Sequence, residues 1–258
     1  MSQRAIADFL DAETARIDAL IARKRQLLRT IDERERAKAP YVLLGSRADE
    51  RPVPGWEWIR ARRLCPDITV GVVVDPSSYF AAEGMPFIHG TDVRQGWIDE
   101  SNFKFLTAES NFLLRKSQLR AGDVIAMRVG EPGRAAVVPE HLAGANCASV
   151  LIFRRSARLA STLLAAFLNS SVGRSQIEAM QYGAAQGVLN VAHALELRVP
   201  VPPLEVQTSL VRQLENLQRT VRAVSNLLER QIGMLRERRA ALITAAVTGE
   251  LEIPGVVA

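Results

Sequence analysis

The stretch Pro202-Pro203-Leu204-Glu205-Val206-Gln207 opens a long helical run that extends to Leu242-Ile243-Thr244-Ala245-Ala246-Val247-Thr248-Gly249. The same pattern is present at the other end of the chain. When Gln207 is placed on Gln3, an offset of 207 minus 3, or 204 residues, apolar and charged positions coincide without a gap. The matched pairs are Leu210 with Ile6, Leu214 with Leu10, Glu215 with Asp11, Val221 with Ile17, Val224 with Leu20, Leu235 with Ile31, Glu237 with Glu33 and Arg238 with Arg34. Because an ungapped self-match is what a duplicated element leaves behind, the sequence predicts a helix, a domain and then the same helix again.

Both helices carry a seam with alternating spacings of four and three residues, as in a coiled coil. The predicted seam positions are Ile6, Leu10, Glu13, Ile17, Leu20, Lys24, Leu27 and Ile31 in the first helix and Leu210, Leu214, Leu217, Val221, Val224, Leu228, Gln231 and Leu235 in the second. A lone helix of this kind more often packs on a globular core, but two copies around one domain favour an antiparallel coiled coil. Polar seam residues such as Lys24 and Gln231 lower stability and are expected to determine register or partner.

Composition places the chain among proteins with one sizeable core and helical appendages. It has 258 residues, 48% of them hydrophobic, and a net charge of +5, with a pI near 9.7. The basic residues are mostly arginine, which suits phosphate and guanine but is by itself a weak indicator of nucleic-acid binding. Cys65 and Cys147 have neither metal-ligand nor disulfide spacing. No apolar run has the length of a membrane span or a secretory signal, so a soluble, cytoplasmic protein is expected.

The middle of the chain is predicted to be an α+β domain. The first helix should end near Lys38, because Pro40 disfavours helical geometry in the residue before it, and Gly45–Pro54 resembles a mobile hinge. Short β-branched runs predict strands at 68–74, 87–88, 124–127, 136–138 and 150–153, and helical periodicity follows at 157–168 and 172–180. The predicted domains are therefore residues 1–39, 40–201 and 202–258.

The sequence lacks the motifs of two DNA-modifying chemistries. A methyltransferase needs an Asn/Asp-Pro-Pro-aromatic tetrapeptide, and Asp75-Pro76-Ser77-Ser78-Tyr79 has a serine in place of the second proline and one extra residue, so a turn is predicted there. A nuclease needs clustered carboxylates and a lysine around a metal, and Pro66-Asp67 has no suitable Glu-x-Lys downstream. The three histidines, His89, His141 and His193, have no metal-ligand spacing. No catalytic, metal or cofactor site is predicted.

One loop could either bind an anion or form a turn between two strands. Gly130-Glu131-Pro132-Gly133 stands between two predicted strands, with Arg128 and Arg134 beside it. Such a loop can cradle a phosphate, but a turn between strands is the commoner use of Gly-Pro sequences.

Several motifs follow one another along the chain in a specific order. They are Pro54-Gly55-Trp56-Glu57, the stretch 85–93, the stretch 119–125 with the glycines at 130 and 133, Gly144-Ala145-Asn146, the pattern Gly-x-x-Gln-x-x-Leu-Asn at 183–190, the stretch 199–207, and Leu-x-Glu-x-Arg-x-x-Leu-Ile at 235–243 before Ala246-Val247-Thr248-Gly249. The opening residues 6–18 are similar to the helix that follows the Pro-Pro-Leu element. Together these motifs resemble the specificity subunit of type I restriction-modification systems over essentially the whole chain.

This resemblance implies a non-catalytic protein that reads double-stranded DNA. In that family two target-recognition domains each read half of a bipartite site, two helical regions hold them at a constant separation, and methyltransferase and restriction subunits carry out methylation and cleavage. The present chain has one recognition domain and enters the repeated pattern at Gln3. It is therefore expected to be either a half-subunit, in which a homodimer would restore two recognition domains, or a fragment or degraded copy. No cofactor is implied.

The resemblance also suggests which side chains meet DNA. Base edges are expected to be read by exposed polar loop residues, namely His89, Thr91, Arg94, Gln95, Asn146, Gln181, Tyr182, Gln186 and Asn190. Phosphates are expected to bind Lys116, Arg128, Arg134 and Arg174. Asn146 and Asn190 have an alternative use as caps of turns or helices. Two other functions remain open: an assembly scaffold that docks a methyltransferase without reading DNA, and a coiled-coil adaptor unrelated to restriction.

Overall fold

A computed structural model describes residues 2–44, 55–73, 75–181 and 187–249. The α-helices are α1 (Ser2–Leu44), α2 (Ala61–Leu64), α3 (Ala108–Leu113), α4 (Ser161–Asn169), α5 (Ser171–Gln181), α6 (Val191–Glu196) and α7 (Leu204–Thr248). The strands are β1 (Glu57–Arg60), β2 (Ile68–Val70), β3 (Phe80–Ala81), β4 (Met85–His89), β5 (Lys104–Leu106), β6 (Val124–Met127), β7 (Ala135–Val137), β8 (Asn146–Ala148), β9 (Val150–Phe153) and β10 (Arg198–Val201). Among the described residues, none of the helices is long and apolar enough to cross a membrane.

The chain forms two compact units, and their division falls within both long helices. The first unit comprises Met1–Arg34 with Arg219–Ala258, and the second comprises Glu35–Gln218. The sequence boundaries at 39/40 and 201/202 remain a prediction, since α1 runs past the first of them and α7 begins just after the second.

The first unit is a pair of antiparallel helices. A small core joins Ile17 and Ile21 of α1 to Ile232 of α7. Arg239 Nε lies 3.1 Å from Asp18 Oδ1, and Lys24 Nζ donates a hydrogen bond to Gln231 Oε1 at 2.6 Å. Later residues of α1 therefore contact earlier residues of α7, so the two helices run in opposite directions. The predicted antiparallel pairing of the two long helices is confirmed.

The contact seam differs from the predicted one by a single residue at several positions. Leu20 and Leu27, predicted to face the partner helix, are exposed by 42% and 47%, and so is Val224 by 39%. Ile21 is buried instead, and Leu28 packs against the core of the pair. A strict seven-residue repeat drifts by about 20° per heptad on an α-helix with 3.6 residues per turn. That drift brings Ile21 and Leu28 into the seam in place of Leu20 and Leu27. The predicted seam positions Leu20, Leu27 and Val224 are therefore wrong.

Replacing Lys24 and Gln231 together with leucine is expected to raise the free energy of unfolding by about 1 kcal/mol. This half-buried polar pair is expected to contribute less than well-packed apolar groups, whereas removing one partner leaves the other without its hydrogen bond. Gln231→Leu alone is therefore expected to lower stability by about 1 kcal/mol. Urea unfolding of Lys24→Leu, Gln231→Leu and the double variant measures these changes in stability. A variant with the exposed residues Arg23 and Arg236 replaced by leucine is the control. A double variant less stable than either single variant would contradict the prediction.

The described residues of the second unit form three sheets. β1 pairs with β10, a four-stranded sheet has the order β2-β9-β6-β7, and another has the order β3-β5-β4-β8. All neighbours are antiparallel except β4 and β8. The predicted α+β class is confirmed.

The sheet containing β6 and β9 is buried on both faces. Val124 and Leu151 belong to the core that includes α4, whereas Ile125 and Ile152, one residue further along each strand, belong to the core on the opposite face. Since successive side chains of a strand point to opposite faces, strands covered on both sides read as continuous apolar runs. This is why these two runs were recognisable in the sequence.

The first helix continues beyond its predicted end. α1 extends to Leu44 and includes Pro40, although proline removes one helical hydrogen bond and crowds the preceding turn. Leu43 is 1% exposed and lies in the core of the second unit with Leu214 of α7. Burial of a leucine contributes roughly 2 kcal/mol, which offsets much of the cost of the proline. The predicted end near Lys38 is wrong, and the predicted hinge at 45–54 lies outside the described residues.

Both cysteines are expected to resist thiol reagents in the folded protein. Burial raises the pKa of Cys65 to about 12, and the charge of Asp123 adds to this effect. Burial also raises the pKa of Cys147, whose side chain is completely enclosed. Only the thiolate reacts, so Ellman's reagent at pH 8 should find no thiol in the native protein and two after denaturation. Rapid native labelling at either position would contradict the described burial.

Candidate nucleic-acid interface

The loop Gly130-Glu131-Pro132-Gly133 is the turn that joins β6 to β7. Gly133 N donates to Met127 O at 3.0 Å. Gly133 has a φ of +89°, and a β-carbon added there would lie 2.3 Å from Ile177 Cδ1 on α5. The loop therefore serves as the predicted turn and packs closely against α5, which brings the arginines of the loop and of the helix together.

Arg128 connects this hairpin to the residues before α6. Its Nε donates to Leu189 O at 3.3 Å, and Leu189 N donates to Arg128 O at 2.9 Å. The side chain is half-buried. Within the described part of the chain, no carboxylate forms an ion pair with Arg128, so its charge is available to an external anion.

Arg134 and Arg174 share one carboxylate. Arg134 forms an ion pair with Glu131, and Arg174 Nη2 lies 3.6 Å from Glu131 Oε2. The two guanidinium side chains are only 16% and 17% exposed. Arg174, Glu131, Gln181 and Gly187 line an open cavity of about 530 Å³. The structure thus gathers three predicted phosphate ligands around one loop, but Glu131 already compensates two of them.

The segment after β4 presents the second group of predicted residues. Asp92 accepts a hydrogen bond from His89 N at 2.8 Å and closes the short helical turn Gly90–Asp92. The imidazole of His89 packs edge-on against Phe87, with ring centroids 5.0 Å apart. Burial raises the pKa of Asp92, although the hydrogen bond from His89 opposes the shift. His89 stays partly exposed and Thr91 is exposed, so both can meet a ligand.

The end of this segment is held by an ion pair. Arg94 Nη2 donates to Asp99 Oδ2 at 2.8 Å, and Arg94 Nη1 donates to Thr91 O at 2.6 Å. Burial tends to raise the pKa of Asp99, but hydrogen bonds from Ser101 and the charge of Arg94 outweigh burial and lower it. Arg94 is 34% exposed and can still reach a ligand. Gln95 is buried, with 8% exposure, and the expectation that it is an exposed base-reading side chain is wrong.

Backbone contacts bring the two groups to one side of the domain. Gly96 N donates to Ala135 O of β7 at 2.9 Å, and Arg128 N donates to Ser149 O at 3.2 Å. A β-carbon added to Gly90 would lie 3.0 Å from the same Ser149 oxygen. Arg128 and Gly90, the residue between His89 and Thr91, therefore both lie beside Ser149, a residue that no motif in the sequence indicated.

Two predicted residues have structural roles. Asn146 is fully buried on β8, where its Nδ2 donates to Asn111 Oδ1 at 3.1 Å and to Leu114 O at 3.0 Å. The expectation that it is an exposed loop side chain is wrong, because all three residues of β8, which pairs with β4, are buried. Asn190 caps α6 by accepting a hydrogen bond from His193 N at 2.8 Å, which confirms its alternative role.

The remaining predicted residues are distributed differently. Lys116 is exposed on the 3-10 turn Arg115–Ser117, whose Ser117 O is 3.5 Å from Cys147 Sγ. Gln181 is the last residue of α5 and is half-buried. Tyr182 and Gln186 lie outside the described residues.

The described residues contain no group of three His, Cys, Asp or Glu side chains that could hold a metal ion. The sequence around Asp75 forms a turn, as predicted, because Ser77 N donates to Asp75 Oδ1 at 2.9 Å. That hydrogen bond lowers the pKa of the Asp75 carboxyl group. The motif that came nearest to a methyltransferase tetrapeptide is therefore an ordinary aspartate-stabilised turn.

Comparison with known proteins supports the resemblance drawn from the motifs. No family model matches the sequence. The chain is 23% identical over 176 residues to the type I restriction enzyme EcoBI specificity subunit of Escherichia coli, a match that covers 66% of this chain and 36% of that protein. It is 24% identical over 182 residues to the EcoKI specificity subunit of Escherichia coli strain K12, and 25% identical over 181 residues to the StySPI specificity subunit of Salmonella potsdam. Each of these two matches covers 67% of this chain and 38% of the relative.

Solved structures share the fold. The HsdS subunit of Thermoanaerobacter tengcongensis matches with a TM-score of 0.50 and 20% identity over 97% of this chain and 59% of its own. The type I restriction-modification S subunit from M. genitalium matches with a TM-score of 0.54 and 14% identity over 99% of this chain and 62% of its own. The curated relatives are thus specificity subunits, and the structural neighbours have the same arrangement of helices and sheets. The chain spans little more than a third of the length of the curated relatives that it matches.

Proposed function

We propose that this chain is a sequence-specific DNA-binding specificity subunit of a type I restriction-modification complex, and that its middle domain reads one half of a bipartite target. The observation that carries the proposal is the similarity to three specificity subunits over two-thirds of the chain. Residues 40–201 would be the recognition domain, and residues 1–39 and 202–258 would be the helices that dock methyltransferase subunits. Methylation and cleavage would then belong to the methyltransferase and restriction subunits, and this chain would have no catalytic role.

The side chains around the β6–β7 turn support DNA binding. Arg128 offers a charge that no described carboxylate compensates, and its backbone contacts Ser149 close to the segment that contains the partly exposed His89 and the exposed Thr91. Cationic groups position the duplex through phosphates, whereas polar side chains specify bases. We propose that His89, Thr91, Arg94, Gln181, Tyr182 and Gln186 read bases, and that Lys116, Arg128, Arg134 and Arg174 contact phosphates, with Arg128 contributing most.

The proposal is tested by selecting duplexes from a randomised pool with the purified protein, alone and with the methyltransferase subunit of the same system, at several salt concentrations. A specificity subunit should enrich a short motif, either one half-site or a symmetric pair at constant spacing. Its affinity should fall steeply with salt. A stable complex with the methyltransferase subunit and no enriched motif would favour the assembly scaffold instead. The spacing of an enriched pair would also show whether two copies of this chain act together.

Gln186→Ala is expected to weaken binding to the selected half-site more than binding to unrelated DNA. Glutamine can pair with adenine in the major groove, and one such pair discriminates by about 1–3 kcal/mol. Fluorescence anisotropy with the two duplexes measures the difference. An equal loss on both duplexes would remove Gln186 from the base-reading residues.

A further inference from the structure

The most unusual backbone position of the domain lies where the chain passes from one sheet to another. Ser149 stands between β8, which pairs with β4, and β9, which pairs with β6. Its φ is +61°, and among the described residues no other non-glycine residue has a positive φ. Ser149 is exposed, although Ala148 and Val150 on either side are buried. The change of sheet therefore turns this one side chain to the surface.

The local fold explains the backbone of Ser149 but not its side chain. Its carbonyl accepts the hydrogen bond from Arg128 N at 3.2 Å, and any residue provides a carbonyl. Glycine adopts a positive φ without the steric cost that a serine β-carbon brings. The Ser149 hydroxyl makes no hydrogen bond to any residue that the structure describes. A strained residue with a free polar group at a candidate binding surface is typical of a functional contact.

The surroundings of the hydroxyl suit a DNA phosphate. A β-carbon added to Gly90 would lie 3.0 Å from the Ser149 carbonyl oxygen and 3.5 Å from the Ser149 β-carbon, so the glycine lets Ser149 lie close to the segment that contains Thr91. Arg128 is the backbone neighbour of Ser149 directly after β6, next to the pair of Met127 with Val150, and its side chain provides a cation in the same region of the domain. A serine hydroxyl extends only one bond beyond the β-carbon, so from this junction it is too short to reach the floor of a groove. It can reach a phosphate at the outer edge of a duplex, where hydroxyl groups commonly bind.

We propose that Ser149 binds DNA by donating a hydrogen bond from its hydroxyl to a phosphate oxygen next to the one that Arg128 contacts. This inference rests on the proposed DNA-reading function. Ser149 would position the duplex against the segment that contains Thr91 and would not itself distinguish bases.

The test compares wild-type protein with Ser149→Gly and Ser149→Ala. Ser149→Gly relaxes the backbone, so its Tm should equal or exceed that of the wild type. Its affinity should nevertheless fall about 5- to 10-fold on the selected half-site and on unrelated DNA alike, since one charge-assisted hydrogen bond is lost. Ser149→Ala should lose the same affinity without the gain in Tm. The slope of affinity against salt should not change, because no charge is removed. Ser209→Ala, on the exposed face of α7, serves as the control.

A duplex series with single uncharged methylphosphonates identifies the partner. One methylphosphonate substitution should lower the affinity of the wild-type protein for the duplex and leave the affinity of Ser149→Gly unchanged. Equal affinity of the wild type and Ser149→Gly would overturn the inference, as would a loss confined to the selected half-site. A wild-type protein that binds no duplex, alone or with its methyltransferase subunit, would overturn both this inference and the proposed function.

Discussion

Asp123→Ala is expected to lower the free energy of unfolding by about 3–5 kcal/mol, because it breaks a buried ion pair. Asp123 is 1% exposed. Its carboxylate accepts hydrogen bonds from Arg120 N at 2.8 Å and from Arg154 Nη1 at 2.5 Å. Removing it would leave the Arg154 guanidinium, itself only 10% exposed, inside the core without its carboxylate.

Loss of this ion pair would also loosen one end of a sheet. Asp123 precedes β6 and Arg154 follows β9, so their contact closes one end of these two strands, opposite the end that carries the β6–β7 turn. In a chain of this size each kcal/mol shifts the Tm by about 2–4 °C, and a decrease of about 10 °C or more is expected by differential scanning calorimetry. Asp67→Ala, at an exposed aspartate, should change the Tm by no more than about 2 °C.

A double variant separates the loss of the ion pair from the cost of leaving Arg154 buried without a partner. Asp123→Asn combined with Arg154→Met removes both charges, and replacing both partners of a buried pair is often nearly neutral. It should therefore be more stable than Asp123→Ala. If Asp123→Ala and Asp67→Ala had the same Tm, the buried ion pair would contribute nothing to the fold.

Arg128→Gln is expected to weaken DNA binding about tenfold or more, on the selected half-site and on unrelated duplexes equally. Arg128 has no carboxylate partner among the described residues, so its loss removes one whole charge from the interface. The slope of log affinity against log salt should fall by about one, as expected for one phosphate contact. Arg128→Lys should retain the slope while losing the hydrogen bond to Leu189.

Arg134→Gln is the matched control for Arg128→Gln. It removes the same charge from the same hairpin, but Glu131 already compensates Arg134 in the free protein. Its effect on affinity and on the salt slope should therefore be clearly smaller. Equal effects of the two substitutions would mean that Glu131 releases its arginines when DNA binds. An unchanged slope in Arg128→Gln would remove Arg128 from the phosphate contacts.

The long helices show how far pattern reasoning reaches. The duplicated motif and the spacing of its apolar residues were sufficient to predict two paired helices, because periodicity depends on local geometry. The seam was displaced at Leu20 and Leu27, which are exposed, in favour of Ile21 and Leu28. Which of two adjacent apolar residues faces the partner depends on how the two helices wind around each other, and both choices fit a heptad.

The sequence by itself determined the α+β class, the two-ended helix, the apolar strands and the likeness to specificity subunits, since all of these depend on composition, period and motif order. Only the tertiary structure decided that Asn146 is buried, that Glu131 compensates Arg134 and Arg174, and that Ser149 is turned outward. Those outcomes depend on the pairing of segments distant in sequence, such as β8 with β4 and the β6–β7 turn with α5. Exposure and charge compensation are properties of neighbours in space, and a local pattern contains no record of them.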